Sequence, residues 1–236
     1  MKLISISAAI LFGLLLMSFL CYNKKTSTER GISMKLISIP VTMLSENVYL
    51  YFDEATKTGV IIDPGGEPDK IINKINECGI SITAILLTHG HYDHTGAVHK
   101  IKELTNAPVC VHKDESGLLR NPKSSLSSRV IEPDVLLDEN TDIPGVFGGR
   151  IKVIHTPGHT SGSVCYYDAE ESILFSGDTI FFESIGRTDF PTGDAYAIIP
   201  SIKNKIFTLP DETVIYPGHE ERTSVGHEKR NNPFVR

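Results

Sequence analysis

Cysteine is scarce and scattered in this chain. Cys21, Cys78, Cys110 and Cys165 are the whole set in 236 residues, and no two form a CxxC pair. That excludes a disulfide framework and a thiolate zinc site. It leaves Cys78, Cys110 and Cys165 as small buried apolar side chains of a reducing compartment. Positive charge is short as well. The formal net charge is -6, and after residue 30 no basic run exceeds two residues. The electrostatic footprint of a nucleic-acid binder is therefore missing, and no nucleic-acid partner is expected. Apart from one repeated hexapeptide there is no internal repeat, no low-complexity tract and no long linker. With 40% hydrophobic and 22% charged residues, the chain has an ordinary globular balance and the length to bury a core without staples.

The N-terminus differs from the rest. Leu3–Leu20 is apolar apart from its serines, long for a secretory apolar region and at the lower edge of a membrane span. No A-x-A cleavage site follows, and Leu20 stands where a lipid-attached Cys21 would want a small neighbour. Lys24, Lys25 and Arg30 outnumber Lys2, which by the positive-inside rule keeps the following chain cytoplasmic, with export as the alternative. The hexapeptide MKLISI stands at Met1 and again at Met34. We therefore expect an apolar leader over 1–33 (a signal, a membrane anchor through residues 3–20, or a misassigned start) and a folded domain over 34–236.

Within that domain, strands and helices interleave. NVYLYF (Asn47–Phe52) and GVIIDPG (Gly59–Gly65) are rich in β-branched and aromatic residues, and Pro64-Gly65-Gly66 stops the second. Ile71, Ile72, Ile75 and Cys78 recur at helical spacing between Pro68 and Gly79, which are start and stop signals. ITAILLTH predicts a buried strand, His94–Leu104 a short helix, and APVCVH another strand. The stretch Pro122–Pro144 reads as a polar surface excursion. RIKVIHT, SVCYYD and SILFSGD predict three strands, GDAYAIIPSIKNKIF a helix interrupted or started late by Pro200, and ETVIYPGH a last strand. The order predicts sheets flanked by helices in one α/β domain.

Several of these strands run into histidine or aspartate beside glycine: LLTHGHYDHTG, VIHTPGHTSGS, LFSGDTIF and VIYPGHEE. Loops at strand ends are where a scaffold presents functional side chains, and glycine permits close backbone approach. His89, His91, Asp93, His94, His159, Asp178 and His219 are thereby candidates for one rim. Their donors suit zinc, iron or manganese, and they are enough for two ions sharing a carboxylate. A lone His159 or His219 is more often a hydrogen-bonded structural residue, and Asp178 alone a turn residue. Crowding three imidazoles and a carboxylate within His89–His94 has little stabilising logic without a metal. His99, His112, His155 and His227 read as surface or packing residues, with His155 sharing a strand end with His159.

THGHYDHTG resembles the H-x-H-x-D-H signature of the metallo-β-lactamase superfamily, and TPGHTSGS, SGDTIF and YPGHEE resemble its later metal motifs in order. The resemblance runs over nearly all of 34–236. It implies a four-layer αββα sandwich in a single domain, with two divalent metal ions, zinc first and iron or manganese as alternatives. It implies that His89, His91 and His159 hold one ion, that Asp93, His94 and His219 hold the other, and that Asp178 bridges. Aspartate at the bridging position disfavours the lactamases that carry cysteine there. SIGRTDFPTGD (Ser184–Asp194) and GHEKRNNPFV (Gly226–Val235) resemble short bacterial glyoxalase II-like hydrolases. That implies hydrolysis of a small-molecule thioester such as S-lactoylglutathione by a metal-bridging hydroxide, with Asp93 orienting the nucleophile and accepting its proton. The chain lacks room for the C-terminal helical domain that binds glutathione in longer members. The alternative is a persulfide dioxygenase with a single iron on His89, His159 and Asp178. The intact ligand set argues against a non-catalytic, membrane-anchored binding protein.

Three further readings stay open in the sequence. Asp63 is either a hydrogen-bond partner of a ligand imidazole or a turn carboxylate before Pro64. Arg187 either meets a substrate carboxylate or pairs with Asp189. Arg222, Lys229 and Arg230 are either anion-binding or solvated.

Overall fold

Strand β2 (Glu46–Asp53) is buried at every residue, which requires cover on both faces. The computed structural model describes residues 33–236 except 128 and 144. The leader and its membrane call lie outside the described residues. Among the described residues no helix is long and apolar enough to cross a membrane.

The first sheet holds β1 (Met34–Val41), β2, β3 (Thr58–Ile62), β4 (Ser81–Leu86), β5 (Val109–His112) and β6 (Val135–Leu137), in that order. Its β1–β2 and β2–β3 pairs are antiparallel, and the pairs from β3 to β6 are parallel. The second sheet runs β13 (Thr223–Ser224), β12 (Val214–Pro217), β9 (Ile173–Gly177), β8 (Val164–Asp168), β7 (Ile151–His155), with β12 parallel to β9. A two-stranded ribbon, β10 (Ile180–Phe181) with β11 (Ser184–Ile185), follows β9.

Three separate apolar clusters define four layers. Val48, Leu50 and Phe52 of β2 face Ile71 and Ile75 of α1 (Pro68–Cys78) and Val98 and Ile101 of α3 (Val98–Thr105), in a cluster that also takes Leu119 of α4 (Ser116–Leu119). The alternate residues Tyr49 and Tyr51 face Val153, Val164, Tyr166 and Phe175 of the other sheet. The opposite faces of β8, β9 and β12, through Cys165, Leu174 and Ile215, pack on Ile198 and Ile202 of α5 (Ala195–Asn204) and Val225 of α6 (Val225–Asn231). Period-two side-chain alternation thus feeds two cores from each sheet. Helix α1 starts at Pro68 and closes on Gly79 in the left-handed conformation, as its start and stop residues predict.

Three local expectations are corrected. The helix over His94–Leu104 is two pieces, α2 (Tyr92–Thr95) and α3. The Ala97 amide donates to Pro64 O at 2.9 Å instead of continuing the intrahelical ladder. Gly65 packs so closely there that a Cβ on it would lie 1.6 Å from Asp93 O. The polar excursion contributes β6, which pairs Val135–Leu137 with Cys110–His112, a long-range contact with no local periodicity. Helix α5 begins at Ala195, capped by Asp194, and runs through Pro200. Both Pro200 and Tyr196 are exposed, so water can serve the Tyr196 carbonyl that loses its partner.

A buried polar pin joins the sheets far from the histidines. The Tyr51 hydroxyl donates to Asp168 Oδ2 at 2.7 Å, and Arg150 Nε donates to the same oxygen at 2.5 Å. Tyr51 is fully buried and the Asp168 side chain has no exposure. Tyr51→Phe should lower the unfolding free energy by about 1.5–3 kcal/mol, the worth of a buried hydrogen bond to a charged group. Urea unfolding with an unchanged m-value would read it, and a loss well under 1 kcal/mol would mean that the pin carries no net stability.

Candidate metal centre

The motif residues meet where strands of the two sheets end. Asp63 follows β3, Thr88 and His89 follow β4, Asp178 follows β9, and His219 follows β12. The rims are tied across by backbone bonds. Val164 N donates to Thr88 O at 2.9 Å and Asn47 N to Gly218 O at 2.8 Å. The Asn47 side chain also donates to Pro217 O and Glu220 O.

All seven sequence-predicted candidates gather here. His89, His91 and His159 form one group able to hold a metal ion, and Asp93, His94 and His219 a second. The Asp178 carboxylate faces both, with Oδ2 3.5 Å from His159 Nε2 and 3.7 Å from His219 Nε2, and Oδ1 3.2 Å from His94 Nε2. The four histidines other than His219 are buried, while His219 is part-exposed.

Hydrogen bonding on the far side of each ring sets its tautomer. His159 Nδ1 donates to Arg187 O at 2.8 Å, and His219 Nδ1 to Leu44 O at 3.2 Å. His94 Nδ1 lies 3.1 Å from Asp63 Oδ2. Asp63 is itself held by the Thr88 amide at 2.7 Å and the Thr88 hydroxyl at 2.5 Å. That hydroxyl, its proton committed to Asp63, accepts from His89 Nδ1 at 3.1 Å. The Nε2 lone pairs of these rings therefore point inward. There they meet one another and Asp178: His159 Nε2 lies 3.2 Å from His89 Nε2 and 2.9 Å from His91 Nδ1. His94 Nε2 and Asp178 Oδ1, 3.2 Å apart, are buried without a hydrogen-bond partner, and His91 turns its Nδ1 inward. Acceptors converging with no donor among them fit divalent cations.

The charge states agree with that fit. Burial first, and then neighbouring imidazoles, hold His89 well below the usual histidine range and bring His91 down to about 4. Burial also lowers His159, although Asp178 pulls against it. These rings are neutral at pH 7, the form that coordinates a metal. For Asp178, burial is outweighed by His94, His159 and His219, which hold the carboxyl far below its usual range. Burial pulls His94 down, but Asp178 and Asp63 raise it well above the ordinary value. The same carboxylates would face a cation held at His94.

Over residues 41–219 the chain matches the family model of the metallo-beta-lactamase superfamily. The chain belongs to the metallo-β-lactamase superfamily. It is 35% identical over 209 residues to the hydroxyacylglutathione hydrolase GloC of Haemophilus influenzae, covering 86% of this chain and 98% of that one. Its fold is similar to the B3 metallo-β-lactamase BLEG-1, at 38% identity and TM-score 0.78, over 85% of this chain and 99% of that one. It is also similar to TTHA1623 in a di-iron-bound form, at 36% identity and TM-score 0.75, over 84% and 99%. Membership makes this a metallo-hydrolase-type chain whose His and Asp groups suit divalent metals.

Two carboxylates of this superfamily member escaped the sequence reading. Glu46, the first residue of β2, is buried with Oε1 3.9 Å from His94 Nδ1 and no hydrogen-bond partner, and burial holds it well above the usual carboxylate range. Glu115 is the other. Its Oε1 accepts from Gly90 N at 2.8 Å, between His89 and His91. Its Oε2 accepts from Thr160 Oγ1 at 2.8 Å and Gly162 N at 3.0 Å, just beyond His159. One fully buried side chain thus clamps two histidine loops together. The signal available was its position, three residues past the end of a predicted strand, and no motif marks it.

Other basic candidates stand apart. Lys229 and Arg230 pair with Asp211, and neither they nor Arg222 line the cavity over the centre. Arg187 does line it. Its Nε and Nη2 donate to Asp189 at 2.7 Å each, and its guanidinium lies 3.7 Å from the centre of the Phe190 ring. His155 stacks on His112 at 4.0 Å. Within that stack His155 Nε2 donates to Ser161 O and His112 Nδ1 accepts from Asp114 N, which engages one nitrogen of each ring.

Two outcomes follow from this geometry. Burial raises the Glu115 carboxyl to about 7. An acid whose folded value is raised holds its proton longer in the native state, so stability falls as pH rises from the unfolded value towards 7. Relative to Glu115→Gln, the wild type should lose up to about 1.4 kcal/mol per pH unit across that window in paired urea titrations; parallel curves would mean that Glu115 does not titrate there. At Gly218, a Cβ would lie 2.4 Å from Asp178 Oδ1 and 2.6 Å from His94 Cε1. Gly218→Ala should therefore weaken divalent-cation binding by at least ~10-fold while circular dichroism stays native. Unchanged affinity by competition with a chromogenic chelator would contradict the crowding.

Proposed function

We propose that residues 34–236 are a metal-dependent hydrolase of small-molecule thioesters such as S-lactoylglutathione. The observation that carries this reading is the single Asp178 carboxylate facing both histidine-containing groups. In the reading, His89, His91 and His159 hold one divalent ion, Asp93, His94 and His219 hold a second, and Asp178 touches both, with zinc the first choice. The printed activity of the Haemophilus relative supports the thioester class.

When bound, the ions supply a water acidified to near neutral pH and a Lewis acid for the carbonyl oxygen. The protein's own groups do the rest. Asp63 and Thr88, and the carbonyls of Arg187 and Leu44, hold the rings with their Nε2 atoms inward. Asp93 lines the cavity, with Oδ2 3.5 Å from His219 Nε2. Its carboxyl is held low because the His219 hydrogen bond outweighs burial, so it is ionised and able to orient water and accept its proton. Water adds to the thioester carbon, the C–S bond breaks, and the thiolate leaves with a proton to give a carboxylic acid and a thiol.

The dioxygenase alternative leaves His94 and His219 without an ion, although both lie within 3.7 Å of the Asp178 carboxylate. Asp93→Ala should lose at least ~10²-fold in turnover of S-lactoylglutathione while keeping its circular dichroism. The wild type should bind about two zinc or other divalent ions per chain, lose activity to a chelator, and regain it on metal return. One iron per chain with oxygen uptake on glutathione persulfide would overturn the reading, and so would wild-type rates in Asp93→Ala. A cephalosporin belongs in the same assay, because turnover of it alone would place the chain with its lactamase neighbour.

A further inference from the structure

The cavity above the centre has a volume of about 520 Å³ and a divided wall. Its floor is polar, with His91, Asp93, His159, Asp178 and His219. Its mouth is apolar, formed by Leu44, Tyr92, Leu126, Phe181 and Phe190. Three of these are well exposed: Leu44 at 50%, Leu126 at 45% and Tyr92 at 43%. Single exposed apolar side chains are ordinary, but a ring of them around one opening marks a binding surface.

The charges at the mouth point the same way. Among the described residues, the charged lining groups besides the histidines are Asp93 and Asp178 of the floor, Glu220, and Arg187 as the one cation. That cation is engaged twice, by both carboxylate oxygens of Asp189 and by the face of Phe190. Glutathione carries two carboxylates and one ammonium; Glu220 could meet the ammonium, but the carboxylates would have to share Arg187 with Asp189. A carboxylate left without that cation would face apolar and acidic wall. The other basic residues near the C-terminus, Lys229 and Arg230, are spent on Asp211.

We infer that the thiol half of the substrate is uncharged and apolar, an aryl or alkyl thiol seated against Leu44, Tyr92, Leu126 and Phe190. This rests on the thioester-hydrolase reading and narrows it. The acyl carbonyl goes to the polar floor, and the sulfur arm points outward into the apolar ring. A carboxylate-bearing thiol is a poorer fit because, among the described residues, the mouth gives it desolvation and only an Arg187 already shared with Asp189.

The test compares two thioesters of one acyl group on the metal-reconstituted protein: the lactoyl esters of glutathione and of benzyl mercaptan. The benzyl ester should have a kcat/KM at least ~10-fold higher, since small changes in apolar complementarity are worth that much. Leu126→Ser should narrow the ratio by raising KM for the benzyl ester. Preference for the glutathione ester, or a ratio indifferent to Leu126→Ser, would overturn the inference while leaving the hydrolase reading intact. If neither ester is cleaved, the hydrolase reading fails, and the mouth is judged by calorimetry with benzyl 2-hydroxypropyl sulfide, an uncleavable thioether. Binding weakened by Leu126→Ser then supports an apolar ligand at this mouth, and no binding overturns it.

Discussion

Imidazole rings and carboxylates crowded out of water are the constraint on which the rest of this structure depends. His89, His91, His94 and His159 are almost wholly buried, with ring centres as close as 4.1 Å. Such a cluster has little stabilising value by itself, because each ring loses solvent and many face acceptors like themselves. It exists only if the scaffold holds it in place or a cation joins it. The scaffold's part is visible in the hydrogen bonds behind the rings. The rings are fixed from outside by Asp63, Thr88 and the carbonyls of Arg187 and Leu44, and their inner nitrogens are left free to converge.

The scaffold supplies that rigidity through burial on both sides of each sheet. Strands such as β2 send alternate residues into two apolar clusters, so a slip by one residue would exchange both sets. Register fixed in this way is delivered to the strand ends, where the functional residues follow within a few positions. Backbone bonds from Asn47 to Gly218 and from Val164 to Thr88 then lock one rim to the other. Glu115 performs the same task with a side chain, tying the His89–His91 loop to the segment beyond His159. The precision of the centre therefore belongs to the two-sheet sandwich and not to any one loop.

The cavity has opposed chemical halves. Converging lone pairs and an ionised Asp178 form a floor that attracts positive charge, while leucine, tyrosine and phenylalanine surround the entrance. Interactions on such a floor are strengthened by the apolar wall, because the local dielectric falls. Arg187 sits at the boundary. Its stack on Phe190 and its pair with Asp189 turn a charged residue into part of a flat wall.

Sequence alone determined the features that are local in the chain. The strand-end motifs named the residues that meet at the centre, since their glycine-flanked positions mark rims whatever the tertiary arrangement. Pro68 and Gly79 bounded α1, because capping is decided by adjacent residues. Tertiary structure decided what depends on distant partners. The helix at His94 breaks because the Pro64 carbonyl takes the Ala97 amide, and β6 is a strand because Cys110–His112 lies beside it. Glu46 and Glu115 became part of the centre only when folding buried them against it, and Lys229 and Arg230 left it by pairing with Asp211. The apolar mouth is the clearest case. Leu44, Tyr92, Leu126 and Phe190 are spread over nearly 150 residues with no shared period, and only the closing of two sheets around one rim makes them neighbours.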